Sequence, residues 1–141
     1  MIVHSFTGHV LLTSMDPEVR NAPVGIELGY DCDHDQYAVR MTITTPEDDG
    51  EVTWVFAREM MARAVDGEGR IKVGFGDVKL RVEPHRDRLT VCLTNRDGHA
   101  DIGLPLADVT EFLDRVYNAV PDGEEYVDED EIDKFLKEVL G

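Results

Sequence analysis

The sequence has few basic residues for its size. Its 141 residues include 14 Lys and Arg against 30 Asp and Glu, which gives a formal net charge of -16. Affinity for nucleic acid depends mainly on basic side chains that neutralise phosphates, so this charge disfavours nucleic acid and anionic lipid as partners. Such acidity is typical of a solvated surface that keeps a protein soluble, and a docking face for a basic partner is the alternative interpretation.

Cysteine and long apolar runs are scarce as well. Cys32 and Cys92 are the two cysteines, and they lack the Cys-x-x-Cys spacing of a zinc or redox site. The N-terminus has no basic residue ahead of an apolar run, and no stretch approaches the ~20 apolar residues that span a bilayer. We therefore expect a cytoplasmic protein with reduced thiols and without membrane insertion.

What the chain does contain is a regular alternation of apolar and polar residues, which predicts strands. The predicted strands are Val3–Leu12, Pro23–Tyr30, Tyr37–Thr45, Glu51–Phe56, Arg70–Gly74, Val78–Val82, Leu89–Thr94 and Ala100–Leu104. Apolar residues at helical spacing predict two helices, over residues 56–65 and 109–120. Because the strand connections are of hairpin length, the strands must pair antiparallel. The sequence therefore predicts an α+β fold in which four strands and a helix occur twice.

A third helix is predicted at the C-terminus, over residues 125–141. Asp128 and Glu131 have the spacing of a capping box, and an apolar stripe follows. The stripe consists of Ile132, Phe135, Leu136, Val139 and Leu140. A short helix is marginal alone, so we expect it to pack on the domain formed by residues 1–124, with a neighbouring subunit as the alternative surface.

Two groups of residues have side chains that could bind a metal. Asp31-x-Asp33-x-Asp35 is similar to the opening of a calcium loop, but Gln36 and Thr42 stand where the template needs Gly and Glu, so a turn between strands is favoured. Cys32 and His34 lack the paired spacings of a zinc site. No Ser, Cys or His lies in a recognisable nucleophile motif. The sequence predicts no metal, no cofactor and no enzymatic activity.

Three further side chains stand out. Trp54 lies in an alternating strand, with Val52 and Phe56 on its face, and is predicted to be part of the core. Arg40 and Arg58 are candidates for partner binding because the chain has so few cations, although surface ion pairs would also account for them. Arg58 is the better candidate, since it is predicted to begin the polar face of the first helix.

The motifs around these residues resemble those of a known family. The segments Asp35-x-Tyr37-Ala38-Val39-Arg40 and Val52-Thr53-Trp54-Val55-Phe56-Ala57-Arg58-Glu59 resemble the signature of the SsgA-like sporulation and cell-division regulators of actinobacteria. Further matches occur in order: Leu28-x-Tyr30-Asp31, Gly76-Asp77-Val78, Pro84, Phe112-Leu113-x-Arg115 and Val120-Pro121-x-Gly123-x-Glu125. Gln36 and Val116 depart from the family pattern, which indicates a divergent member.

The resemblance implies both a fold and a function. The implied fold has two ββββα halves with antiparallel sheets, similar to the whirly-type single-stranded DNA-binding proteins, and assembles as a homotrimer. The implied function is a non-enzymatic regulator of sporulation and cell division that binds other proteins at the division septum. Its expected partners are the tubulin-like division protein FtsZ, a family paralogue or cell-wall remodelling proteins. A single-stranded nucleic-acid-binding module is the alternative function, and the acidic charge disfavours it.

Overall fold

Eight strands and two helices make up the part of the chain that the computed structural model describes, which is residues 1–11, 22–45, 50–67, 73–75, 77–95 and 98–125. The strands are β1 (Ile2–Val10), β2 (Pro23–Asp31), β3 (Asp35–Thr44), β4 (Glu51–Ala57), β5 (Val73–Phe75), β6 (Val78–Glu83), β7 (Arg88–Asn95) and β8 (Gly98–Pro105). The helices are α1 (Arg58–Asp66) and α2 (Leu106–Ala119), and a turn of 3-10 helix, Pro84–Arg86, joins β6 to β7. The predicted α+β class with antiparallel strands is confirmed.

All eight strands belong to one antiparallel sheet, in the order β4-β3-β2-β1-β8-β7-β6-β5. β1 and β8 join the first four strands to the last four, through the pairs His9↔Gly103 and Val10↔Ile102. Leu11 extends this junction, since its backbone N–H donates to the carbonyl of Asp101. Where the sequence indicated sheets in separate halves, the structure has a single sheet, because a pairing between the first and last strands leaves no signal in local periodicity.

One face of the sheet carries the core. Cross-strand register places Ile26 beside Ile43 in the first half, and Leu80, Val91 and Ile102 in one row in the second. The buried apolar residues of both helices belong to the same cluster, so α1 and α2 cover this face. Each fully buried aliphatic side chain contributes about 1.5–3 kcal/mol relative to its exposed state. The opposite face, called the outer face below, alternates with it along every strand.

Both predicted helices are confirmed, each within three residues of its predicted ends. α1 is capped at its C-terminus by Gly67, whose backbone N–H donates to the carbonyl of Arg63. α2 begins directly after Pro105, which fits a residue that donates no backbone hydrogen bond. The turn after α2 needs glycine, because Gly123 has a φ of 85° and the N–H of Glu124 donates to the carbonyl of Pro121.

The predicted C-terminal helix lies outside the described residues, except for its first residue, Glu125. The same holds for the start of the predicted strand Arg70–Gly74, of which the structure describes β5, Val73–Phe75.

Trp54 faces the core side of the sheet, as predicted, but is only partly buried. Its cross-strand partner is Met41, and it packs against the edge of the core cluster. β4 is the last strand in the order of the sheet, so Trp54 has a neighbouring strand on one side. Trp54, which was predicted to be part of the core, therefore lies at its margin.

Partial burial lowers the expected cost of removing this ring. Trp54→Ala is expected to lower the free energy of unfolding by about 2 kcal/mol, whereas Phe112→Ala, whose ring is fully buried, should cost about 3–5 kcal/mol. Urea melts of the two variants measure the difference. An equal loss in both would show that Trp54 contributes as a fully buried residue.

Candidate partner-binding surface

Arg40 lies on the outer face of the sheet, in a row that crosses four strands. The register places Val3, Gly29, Arg40 and Val55 side by side on β1, β2, β3 and β4. Arg40 and Val3 are exposed, and 58% of Val55 is accessible to solvent. Gly29 has no side chain, so the row is flat between its charged and apolar members. We call these four residues the Arg40 row.

The Arg40 row borders a cleft at the acidic turn between β2 and β3. Asp31, His34, Asp35 and Ala38 line this cleft together with Arg40 and Val55, and its volume is about 410 Å³. The Asp31 carboxylate accepts hydrogen bonds from the backbone N–H groups of Asp33 and His34, at 3.0 and 3.3 Å. The predicted turn is thus confirmed. Hydrogen bonds from this backbone lower the pKa of Asp31 below its ordinary range, although burial opposes the shift.

Arg58, the second candidate, lies in the interior. Only 1% of the residue is exposed, so the prediction that it begins the polar face of α1 is wrong. Its guanidinium donates to the carbonyl oxygens of Val120 and Pro121, at 2.7 and 3.4 Å, and to the carboxylate of Glu125. These contacts direct the side chain toward the end of α2 and away from solvent.

Two tyrosine rings complete the environment of Arg58. The guanidinium carbon lies 4.1 Å from the ring centroid of Tyr117 and 5.7 Å from that of Tyr30. A desolvated cation over an aromatic face is stabilised by the ring quadrupole. We call Tyr30, Arg58, Tyr117, Val120 and Glu125 the Arg58 network.

The Arg58 network explains why the signature motifs are spread along the chain. Tyr30 donates to the carbonyl of Gln36 at 2.8 Å, and Tyr37 donates to the carbonyl of Glu125 at 2.9 Å. The motifs that contain Arg58 and Glu125 therefore meet those of β2 and β3 in space. These members of the family motifs form an internal joint between α1, the end of α2 and the first half of the sheet.

Ionisation in the Arg58 network is strongly influenced by its surroundings. Burial raises the pKa of Tyr30 to about 12, despite the nearby positive charge of Arg58, so the phenol remains a hydrogen-bond donor at neutral pH. For Glu125 the hydrogen bond from Arg58 lowers the pKa below its ordinary value of 4.5. A carboxyl whose pKa is lowered on folding stabilises the fold above its unfolded pKa, and this contribution is lost as the pH falls through the folded pKa.

The Glu125 shift leads to a pH-dependent prediction. Glu125→Gln removes the ionisable carboxyl group that pairs with Arg58. The stability of this variant should therefore fall less steeply than that of the unchanged protein as the pH drops below 4.5. Melting temperatures measured from pH 7 to pH 3 test this. Parallel curves for the two proteins would show that Glu125 does not couple to folding.

A second charged group lies on the outer face at β6 and β7. Glu83 accepts hydrogen bonds from Arg81 at 3.1 Å, from Thr90 at 2.9 Å and from Arg88 at 2.8 Å. Arg86 also lies 3.9 Å from its carboxylate. Burial raises the pKa of Glu83, but the hydrogen bonds from Thr90 and Arg88 and the positive charges outweigh it and lower the pKa below its ordinary range.

His4 forms the third charged group. Its Nε2 lies 2.9 Å from Oδ1 of Asp108 and 3.9 Å from Oε2 of Glu111. The three side chains, from β1 and the first turns of α2, would suit one divalent cation by their donor types. Sequence reasoning missed this group, because His4 is about a hundred residues away from Asp108 and Glu111 in the chain.

A groove runs between the two helices. Its floor includes Ala62, Val65, Leu113 and Tyr117, and its volume is about 470 Å³. Its rim carries the acidic side chains Glu59, Asp66, Asp114 and Asp122, with Arg63 as a basic member.

Comparison with known proteins relates this architecture to a family. The model of the Streptomyces sporulation and cell division protein SsgA matches residues 24–125. The sporulation-specific cell division protein SsgB of Thermobifida fusca is 33% identical over 132 residues, which cover 89% of this chain and 90% of that protein. SsgB of Saccharopolyspora erythraea is 34% identical over 124 residues, covering 83% and 84% of the two chains.

Solved structures agree with the sequence comparison. A crystal structure of an SsgA-like sporulation-specific cell division protein from Thermobifida fusca superposes with a TM-score of 0.73 at 28% identity, covering 97% of this chain and 93% of that one. The structure of SsgB from a study of longitudinal cell division in Streptomyces coelicolor superposes with a TM-score of 0.70, covering 87% and 92% of the two chains.

The fold is thus that of the sporulation-specific cell division proteins. This chain belongs to the SsgA family, as the family match over residues 24–125 and the identity to the SsgB proteins show. Membership assigns it a role in cell division or sporulation. Among the described residues, no helix is long and apolar enough to cross a membrane.

Proposed function

We propose that this protein is a non-enzymatic regulator of sporulation septation that acts by binding other proteins. In this proposal it is cytoplasmic, is recruited to the division septum, and positions or recruits FtsZ, a family paralogue or cell-wall remodelling proteins there. The family match over residues 24–125 is the observation that carries the proposal. No catalytic step and no cofactor are part of it.

The Arg40 row supports a binding role. It combines one charged side chain with two exposed valines on a sheet face that neither helix covers. Arg40 is exposed on this face, so its guanidinium is accessible to a partner. Interfaces are enriched in arginine with apolar neighbours. We therefore assign the partner-binding role predicted for Arg40 and Arg58 to Arg40 alone, because Arg58 makes its contacts inside the domain.

Affinity capture with matched variants tests this proposal. Tagged unchanged protein, Arg40→Glu and the control Arg63→Glu would each be expressed in sporulating cells that encode this chain, and the captured proteins identified by mass. We expect the unchanged protein and the control to capture FtsZ, a paralogue or a cell-wall enzyme. We expect Arg40→Glu not to capture this partner. Capture of no division or cell-wall protein by the unchanged protein would contradict the proposal.

We further propose that the protein forms a homotrimer with a whirly-like subunit fold. The order of strands and helices, with a helix after each set of four strands, supports the fold.

β4 supports assembly, because it ends the sheet and carries the exposed Val52 and Val55 beside an edge that no described strand pairs. Light scattering should give a trimer mass that higher salt favours, since screening weakens the repulsion between acidic subunits. A monomer mass at low and high salt would contradict assembly.

We also propose that residues 125–141 form an amphipathic helix in the groove between α1 and α2. Glu125 is held beside Arg58 at the start of α1, and Tyr117, whose ring lies against the same guanidinium, lines this groove. The predicted apolar stripe would cover the apolar floor. Lys134 and Lys137 would then oppose the acidic rim.

Two variants separate this docking from the Arg58 network. Phe135→Ser with Leu136→Ser should destabilise the protein and increase amide exchange in the groove residues Ala62 and Leu113, because their cover is lost. Glu138→Ser, which lies off the stripe, should leave both unchanged. Unaltered exchange in the double variant would contradict docking in this groove.

A further inference from the structure

The basic residues of this acidic chain are concentrated in one strand pair. The segment from Val78 to Arg88 contains four of the 14 basic residues but only two of the 30 acidic ones. Its basic members are Lys79, Arg81, Arg86 and Arg88. We call these four residues the basic patch.

The basic patch carries more positive charge than the described carboxylates around it balance. Arg81, Arg86 and Arg88 all approach the single carboxylate of Glu83, at 3.1, 3.9 and 2.8 Å. Glu83 and Asp87, the two acidic residues of the segment, balance two of the four basic side chains, so about two positive charges remain in excess. Glu83 also takes a hydrogen bond from Thr90, which uses another of its acceptor sites.

The patch is accessible from solvent. The Arg81 side chain is 47% exposed and that of Arg86 is 68% exposed. Lys79 is exposed on the same outer face, two residues before Arg81. Arg86 and Arg88 also line a cleft of about 310 Å³ with His9 and Gly103. A planar guanidinium with free donors binds carboxylates by paired hydrogen bonds.

We propose that the basic patch binds a short carboxylate-rich segment of a partner protein. This inference rests on the proposed protein-binding function and adds to it a second surface, on the half of the sheet opposite the Arg40 row. A segment with a few carboxylates matches the excess charge and the size of the patch. Because the rest of the chain is strongly negative, only the patch itself attracts the carboxylates of the partner. The binding affinity should therefore fall as the salt concentration is raised.

A nucleic-acid strand fits the same patch less well. Binding of a single strand needs a longer basic groove and aromatic side chains on which bases stack. Residues 78–88 contain no aromatic ring other than that of His85, and the net charge of -16 repels a strand that extends beyond the patch.

Fluorescence anisotropy with labelled hexaglutamate tests the inference. The unchanged protein should bind this peptide, with an affinity that falls as salt is raised. Arg81→Glu with Arg86→Glu should weaken binding by about tenfold or more, because two attractive contacts become repulsive. The control is Arg63→Glu with Arg115→Glu, which changes the net charge equally on other surfaces and should retain affinity within about twofold.

Each outcome is decisive once melting temperatures show that the variants fold. Equal loss in both double variants would show a non-specific charge effect and overturn the inference. Tighter binding of labelled oligothymidylate than of hexaglutamate by the unchanged protein would also overturn it, in favour of a nucleic-acid surface. If the unchanged protein captures division proteins but does not bind hexaglutamate, the inference is overturned and the proposed function stands. The two proposals therefore fail separately.

Discussion

Arg58→Ala should lower the free energy of unfolding by about 3–5 kcal/mol, because removing one member of a buried charged network leaves its partners unpaired. Tyr30, the carbonyl of Val120 and the Glu125 carboxylate would each lose a hydrogen-bond donor. The lost stacking on Tyr117 adds to this cost. Chemical denaturation followed by circular dichroism measures the change.

Arg63→Ala is the matched control for this prediction. Arg63 is in the same helix but is exposed, so its loss should change stability by no more than about 0.5 kcal/mol. If both variants melt alike, the Arg58 network is not the joint that connects α1 to the end of α2.

Gly8→Ala is expected to destabilise the protein by about 1–3 kcal/mol, through overpacking at the junction of the two halves of the sheet. A methyl group at this position would lie 2.8 Å from Cγ1 of Ile26 and 2.9 Å from the carbonyl oxygen of Gly103. The second contact is with backbone, which cannot rotate away. Relief requires β1 and β8 to separate where two residue pairs and the Leu11–Asp101 hydrogen bond join them.

Gly25→Ala provides the comparison, since Gly25 is also in the sheet but has room. A methyl group there would lie 3.6 Å from Cβ of Thr44, an ordinary contact. Stability should be unchanged or raised by up to about 1 kcal/mol, because alanine restricts the unfolded chain. Thermal melts of both variants suffice, and equal melting temperatures would contradict the predicted crowding at the junction.

Local periodicity was enough to predict most of the fold. Within the described residues, the strands and the first two helices agree with the predictions, because burial of one face imposes a period of two or 3.6 on the apolar residues. The β1–β8 pairing could not be predicted in this way. It depends on the close approach of Gly8 and Gly103, and nothing in their immediate neighbours indicates it.

Arg58 shows where sequence reasoning about the site failed. A cation at the start of a helix is normally solvated, and charged residues are rarely buried without partners. Its partners, Tyr30 and Val120, are 28 and 62 positions away, so no local sequence pattern indicates that Arg58 is buried. The one signal in the sequence for their contact was that Arg58 and Glu125 both belong to motifs of the family signature.

The basic patch was missed for a different reason. Net charge describes the whole chain, whereas a strand pair brings alternate residues of two segments onto one face. Arg81 lies two residues from Glu83 on β6, and the pairing of β6 with β7 adds Arg88, which stands opposite Glu83.

Localisation during sporulation tests the proposed septal role most directly. A fluorescent fusion of this chain would be followed together with labelled FtsZ in an actinobacterium that encodes it, and septa would be counted after deletion of the gene. The proposal predicts that the fusion coincides with FtsZ at forming septa and that deletion reduces or misplaces septa. Diffuse fluorescence throughout sporulation, with normal septation after deletion, would contradict it.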